Sequence, residues 1–288
     1  MREMTIDGRR IADDEPAYIV AEIAANHFGS LDKAKLMVAT AQEAGASAVK
    51  LQTRHVHDVY APTEEPGGFY HQADNPNWSD RVYGKHRAKV EFDRPQCESL
   101  FRSCADEGIT AFSTPFDLKS VDLLDSLGVP AFKIASGDAT NIPLIQHVAS
   151  KGKPMIISTG GCSIEDVDRA GEARAGYDVE FALLQCSCIY PAPDDVMNLR
   201  AIETYRSRYP FTVIGLSSHN RNWHTSLAAY TMGSRIFEHH YTNDRSWKGT
   251  DNAFSLTPPM LKEFVQACES VRKAMGSAEK ARDLREET

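Results

Sequence analysis

Short apolar runs alternate along this chain with longer stretches in which apolar residues recur every three to four positions. The first pattern fits strands buried on both faces, and the second fits amphipathic helices. Strands are predicted at residues 17–24, 48–51, 109–113, 131–134, 154–157, 180–184, 211–216 and 235–238. Helices are predicted at 31–44, 95–107, 117–127, 142–150, 164–174, 199–208, 223–232 and 258–275. Several of these helices stop at a glycine, as at Gly45, Gly108, Gly128, Gly233 and Gly276, where a left-handed C-cap is cheapest.

Strands that alternate with helices pair in parallel through crossover connections. Eight such units in about 250 residues predict a (β/α)8 TIM barrel in the α/β class, built as a single domain. An open doubly wound sheet is the structural alternative, but no GxGxxG phosphate turn follows the first strand. Residues 1–16 read as an N-terminal extension, 17–276 as the barrel, and 277–288 as a charged C-terminal tail. One segment breaks the rhythm. Residues 53–93 are rich in Pro, Gly, His, Tyr and Asn, and a loop of that length in a compact domain is usually functional. It leaves the C-terminal face, where barrel active sites lie, and reads as a lid or substrate loop.

Composition narrows the partners. The formal net charge of -8 over 288 residues excludes nucleic acid as an expected ligand, because such binding rests on cationic contact with phosphate. No apolar run reaches membrane-spanning length, and residues 1–14 contain no apolar core of a secretory signal, so a cytoplasmic enzyme is expected. Six dispersed cysteines fit reduced cytosolic thiols, and the Cys186–Ser187–Cys188 pair reads first as pocket-lining thiols.

Each predicted strand delivers hydrogen-bonding or charged groups at its C-terminal end: Glu22, Asn26 and His27; Lys50 and Gln52; Ser113 and Thr114; Lys133, Ser136 and Asp138; Ser158 and Thr159; Gln185, Ser187, Cys188 and Tyr190; Ser217, Ser218 and His219; Glu238, His239 and His240. Converging ends of this kind make a polar funnel. Lys50 and Lys133 sit in apolar strands, AVKLQ and AFKIAS, where an ammonium needs an anionic partner or a lowered pKa. Structural ion pairs would satisfy either one alone. Both together, beside Ser136, Ser158 and Ser217, favour a bound phosphate and carboxylate. His219 and His240 end neighbouring strands about 4.8 Å apart, so they could share one divalent ion, with Glu22 and Asp251 as nearby carboxylates.

The stretches AEIAANHFGSLDKA, AVKLQT, FSTPFD, VDLLDSLGVPAFKIASGDATNIPLI, KPMIISTGG, LLQCSCIYPAP, VIGLSSH and FEHHYTNDR, in that order, resemble the sialic acid synthase family. That family includes N-acetylneuraminate synthase and its legionaminate and pseudaminate relatives. The resemblance covers residues 18–276. It implies condensation of phosphoenolpyruvate with an N-acylated hexosamine such as N-acetylmannosamine, giving a 3-deoxy-2-ulosonic acid and phosphate. By motif position, it implies that Lys50, Lys133, Ser136, Ser158 and Ser217 hold phosphoenolpyruvate, supported by Gln52 and Thr114. It further implies that His219 and His240 bind the metal, with Mn2+ the first expectation and Mg2+ or Co2+ the alternatives. Glu22 and Asp251 match positions facing the sugar or the metal's waters, and Asp138 the position that orders water. A homodimer is also implied.

The chain departs from the family at four places. Ser136–Gly137–Asp138 stands where SGE is common, Cys188 where Asn or Ser is common, and Ser217–Ser218–His219 where SDH is common. The sequence also ends before the small C-terminal antifreeze-like domain of typical members, so either the chain is a shortened one or another element closes the site, for which the 53–93 loop, with Arg81, His86 and Arg87, is the candidate. Two other readings remain at this stage: a related phosphoenolpyruvate-using synthase acting on another aldose or aldose phosphate, and a catalytically silent barrel.

Overall fold

The computed structural model of the chain describes residues 2–279 and 285. Most of the expected tail 277–288 therefore lies outside the described residues. The first two strands, β1 (Glu3–Ile6) and β2 (Arg9–Ala12), form an antiparallel hairpin. Its two-residue turn is Asp7–Gly8, both at positive φ (53° and 74°). This is the conformation for which Asp-Gly is favoured, because both central residues of such a turn must be left-handed. The N-terminal extension 1–16 thus contains a structured hairpin. Met4, Ile6 and Ile11 are buried in one cluster with Tyr18, Val20 and Phe112.

Eight parallel strands close the barrel: β3 (Tyr18–Ala24), β4 (Ala48–Thr53), β5 (Thr110–Pro115), β6 (Phe132–Ile134), β7 (Met155–Ser158), β8 (Phe181–Cys186), β9 (Val213–Ser218) and β10 (Ile236–His240). They are hydrogen-bonded in chain order, and β10 pairs with β3. Among the described residues ten α-helices accompany them: α1 (Leu31–Glu43), α2 (Val56–Val59), α3 (Tyr83–Val90), α4 (Arg94–Asp106), α5 (Leu118–Ser126), α6 (Ile142–Ala149), α7 (Ile164–Glu172), α8 (Ala201–Arg208), α9 (His224–Thr231) and α10 (Pro258–Met275). Five of their starts are fixed by a side-chain cap. Asp93 and Ser163 form capping boxes on α4 and α7, and Ser30, Asp117 and Asn141 cap α1, α5 and α6. Among the described residues no helix is long and apolar enough to cross a membrane.

Side-chain parity divides the core in two. Ile19, Ala21, Ile23, Val49, Leu51, Leu183, Ile214, Leu216 and Phe237 face the helices. The alternate positions Tyr18, Val20, Ala48, Phe112, Ala131, Ile156, Ala182, Leu184, Val213 and Ile236 fill the barrel's lower interior. Residues 53–93 are not a bare loop. They hold α2, α3 and a bridge between Gln72 and Val82, and their own aromatic rings pack together. Trp78 stacks on His86 at 5.7 Å, His57 on Phe69 at 4.5 Å, and Tyr60 meets Tyr83 edge-on at 5.0 Å. Gly84 lies against Phe69 so closely that a Cβ would come within 2.2 Å of the ring, so this contact admits only glycine.

Candidate active site

Following each inward row one pleat further reaches the chemistry. Above Val20 comes Glu22, above Ala48 come Lys50 and Gln52, and above Phe112 comes Thr114. Ala131 is followed by Lys133, Ile156 by Ser158, Leu184 by Cys186, Gly215 by Ser217, and Ile236 by Glu238 and His240. These groups are still in the strands, six of which run one or two residues further than their apolar runs predicted, so ladder hydrogen bonds hold their backbones. The side chains line a cavity of about 210 Å³ at the C-terminal mouth, together with Phe116, Ser136, Cys188, Tyr190 and His219.

Four buried charges occupy its floor. Lys50 Nζ pairs with Glu22, donates to the Thr114 hydroxyl at 2.7 Å and lies 3.8 Å from Glu238. Lys133 Nζ donates to Ser158 Oγ at 2.7 Å and to the Ile134 carbonyl at 3.1 Å, with Glu238 at 3.7 Å. Burial raises the Glu22 carboxyl to about 7 against the pull of Lys50. Burial opposes ionisation of Glu238 too, but Lys133 and Lys50 outweigh it and hold that carboxyl below its ordinary range. Burial draws the Lys133 ammonium down, with Glu238 resisting. Both lysines are therefore internally neutralised and still face a polar cavity, so ion pairing and anion binding are compatible roles. Ser217 Oγ lies 3.4 Å from Glu238 and completes the hydroxyl lining.

Glu238 was named among the strand-end groups but not among the expected site residues. Strand parity identifies it, since it lies in the same inward row as His240. The neighbouring His239 faces outward, buried, with its ring on the Ser226 hydroxyl at 2.7 Å. His27 is also structural: it stacks on Phe92 at 4.2 Å and accepts the Gly29 N–H.

His219 and His240 stand at the rim, ring centroids 5.4 Å apart. Burial keeps both imidazoles neutral, at about 4 and about 3. His219 Nδ1 meets the Ser187 carbonyl at 2.6 Å, so that nitrogen carries the proton and Nε2 keeps a free lone pair. His240 Nδ1 is buried without a hydrogen bond, with Asp251 Oδ2 3.5 Å away. Two neutral imidazoles, one an orphaned buried acceptor, fit a divalent ion of the N/O-liganded kind. A separate cluster, His55, Asp58 and Asp117, is the one group of three such ligand atoms found converging among the described residues. It is more exposed, and Lys119 already pairs with Asp58 there at 2.7 Å.

Asp138 and Asp251 stand outside the cavity wall. Asp138 lies on a 3-10 turn, accepts from the Asn141 amide at 3.2 Å and is raised by burial. Ser218 points outward to Asn220, so its departure from the family pattern does not alter the cavity. Cys188 does line it. Its sulfur, that of Cys186 and the Ser136 hydroxyl crowd Gly160, where a Cβ would meet them at 2.5, 3.2 and 3.0 Å. Arg81, His86 and Arg87, the expected closing groups, are engaged within the 53–93 segment with Asp74, Trp78 and Glu91.

Known proteins share this arrangement of fold. Human N-acetylneuraminate-9-phosphate synthase is 35% identical over 275 residues, covering 95% of this chain and 75% of that protein. N,N'-diacetyllegionaminic acid synthase of Legionella pneumophila is 36% identical over 271 residues, covering 91% and 74%. A crystal structure of N-acetylneuraminic acid synthetase from Leptospira borgpetersenii, in complex with citrate, matches with a TM-score of 0.88 at 30% identity, covering 99% of this chain and 94% of that one. The sequence profile of the NeuB family matches residues 37–280, and with relatives of this identity along nearly the whole barrel, the chain belongs to the NeuB family.

Proposed function

We propose that the protein condenses phosphoenolpyruvate with the aldehyde carbon of an N-acylated hexosamine, giving a 3-deoxy-2-ulosonic acid of the sialic acid type and inorganic phosphate. The observation that carries this reading is the pairing of buried Lys50 and Lys133 with the hydroxyls of Thr114 and Ser158, beside the Ser217 hydroxyl, around one small cavity. Glu22 and Glu238 already balance the two ammoniums, which still present donors to the cavity, and that lining suits a compact, highly charged anion. Lys50, Lys133 and the hydroxyls would hold the phosphate and carboxylate, and the pre-oriented donors would remain in place as charge redistributes. His219 and His240 would hold a divalent ion, Mn2+ first, which when bound supplies Lewis-acid polarisation of the aldehyde. The methylene carbon of phosphoenolpyruvate attacks that aldehyde, water adds at the carbon bearing the phosphate oxygen, and C–O cleavage releases phosphate. Glu22, raised to about 7, can hold or yield a proton on the cavity floor at neutral pH.

N-acetylmannosamine is the first acceptor to try. A phosphorylated hexosamine is the second, because one relative is named for a 9-phosphate product. A cytoplasmic homodimer belongs to the same proposal. The test incubates the protein with phosphoenolpyruvate, Mn2+ and each aldose, following phosphate release and the product mass. A Mn2+-dependent ulosonic acid that vanishes in His219→Ala and Lys133→Ala supports the reading. Phosphoenolpyruvate binding without any product rejects the acceptor class, and absence of binding rejects the synthase reading.

A further inference from the structure

Gln52 is on the inward row of β4, its register partner is Thr114, and it lines the cavity. One pleat beyond it comes Arg54, whose Nη2 donates to Gln52 Oε1 at 2.7 Å. A guanidinium has donors and no acceptor. The amide oxygen of Gln52 must therefore be the atom facing Arg54, and its NH2 group must face the other way. This settles by chemistry which end of the amide is which, a choice that shape alone leaves open.

Arg54 is itself held on three sides. Its guanidinium lies 3.9 Å above the Phe116 ring, and its Nη1 pairs with Glu91 at 3.1 Å. Glu91 also accepts from Arg87 Nη2 at 2.9 Å. All three charged side chains are deeply buried, with side-chain exposures of 4% for Arg54, 8% for Arg87 and 12% for Glu91. Arg54 lies at the start of the 53–93 segment and Glu91 at its end, so the pair closes that segment at its base. Burial raises the carboxyls of Asp138 and Asp251, and the same guanidinium opposes that rise without reversing it.

We propose that Arg54 is a positioning residue that turns the Gln52 amide so that its N–H groups point into the cavity, and that Glu91, backed by Arg87, fixes Arg54 in that pose. Gln52 then acts as a donor to a ligand oxygen carrying negative charge, such as a carboxylate or phosphate oxygen, and does not accept from a sugar hydroxyl. This rests on the phosphoenolpyruvate reading given above. It also gives the 53–93 segment a role at the site through its two ends, without its tip reaching the ligand.

If Arg54 only staples the segment, its loss affects the protein whether or not Gln52 is present. If it acts through Gln52, its loss matters for the ligand only while Gln52 is there. Calorimetric titration of phosphoenolpyruvate into wild type, Gln52→Ala, Arg54→Lys and the double variant separates the two. Arg54→Lys keeps a charge but loses the planar fork, and is expected to weaken binding about tenfold in the wild-type background and less than about twofold on Gln52→Ala. Gln52→Glu keeps an acceptor for Arg54 but removes the N–H donors, so it should hold its melting temperature and bind more weakly than Gln52→Ala. Should Arg54→Lys not fold, Glu91→Gln frees Arg54 without touching the cavity and is expected to show the same dependence on Gln52. Equal loss in both backgrounds, or unchanged affinity in Arg54→Lys, overturns the proposal while leaving the synthase reading intact. Wild-type protein that binds no phosphoenolpyruvate overturns both.

Discussion

Glu238 Oε1 lies 3.7 Å from Lys133 Nζ, at the bottom of the cavity and out of bulk water. It is also 3.8 Å from Lys50 Nζ, so one carboxylate serves two ammoniums. Removing it leaves buried positive charge without compensation, which typically costs about 3 kcal/mol or more. Glu238→Gln should therefore melt roughly 5–10 °C below wild type without ligand. Phosphoenolpyruvate or inorganic phosphate would then replace the missing charge, so the ligand-induced rise in melting temperature should be larger in the variant than in wild type. Differential scanning calorimetry with and without each anion reads both effects. An equal or smaller rise in the variant would show that the lysines do not face the bound anion.

Cys188 is exposed and lines the same cavity as Lys133 and Ser136. A hydrogen bond from Cys186 lowers its pKa to about 6, burial opposing, while the Cys186 thiol is held well above its ordinary value. An ordinary cysteine titrates near 8.5. Iodoacetamide should modify Cys188 half-maximally near pH 6 and leave Cys186 unmodified in the native protein. Saturating phosphoenolpyruvate should slow that modification, because the adduct and the anion compete for one wall. Peptide mass mapping across pH gives the answer, with Cys188→Ser as the control. A half-point near 8.5, or no protection, would remove Cys188 from the cavity chemistry.

His27 gives a pH dependence of stability away from the site. Its Nδ1 accepts the Gly29 N–H at 3.1 Å, its ring stacks on Phe92, and burial holds its pKa at about 4. Below 6.5 the unfolded chain takes a proton that the native ring refuses. Stability is therefore full above pH 6.5 and falls as pH drops toward 4, by roughly 3 kcal/mol at 1.36 kcal/mol per pKa unit. His27→Asn keeps an acceptor for Gly29 without a titrating group. Urea unfolding at pH 7, 5.5 and 4.5 should give a flatter profile for that variant than for wild type.

The barrel was legible because a strand buried on both faces is a plain apolar run, and eight of them recur with helices between. The site was legible wherever a charge interrupts such a run, as Lys50 does in AVKLQ and Lys133 in AFKIAS. Glu238 was harder to read because three polar residues stand together in FEHHY, and only the period-two alternation separates inward Glu238 and His240 from outward His239. The hairpin was missed although Asp7–Gly8 signals it, because four-residue strands carry too few apolar positions to stand out. The 53–93 segment could not be read at all in this way. Its order comes from aromatic stacking and from an Arg54–Glu91 pair 37 residues apart in sequence, and neither has a local period.

The parity argument makes the two adjacent histidines of β10 behave differently. His240 points to the cavity rim, 5.4 Å from His219 between ring centroids, with an unused Nδ1. His239 points to the helices, where it is fully buried, bonds Ser226 and packs edge-on against Phe264 at 5.4 Å. His240→Ala should weaken Mn2+ binding by about 100-fold, while changing the melting temperature of the metal-free protein little. His239→Ala should do the reverse: lose roughly 2 kcal/mol or more of stability from a core void and an unpaired Ser226 hydroxyl, with Mn2+ affinity within a few-fold of wild type. Titration of Mn2+ followed by electron paramagnetic resonance, beside thermal melts of the metal-free variants, measures both. If His239→Ala removes metal binding and His240→Ala does not, the inward and outward faces of β10 have been assigned the wrong way round. If neither weakens it, the ion binds elsewhere, and the His55, Asp58 and Asp117 cluster is the next place to look.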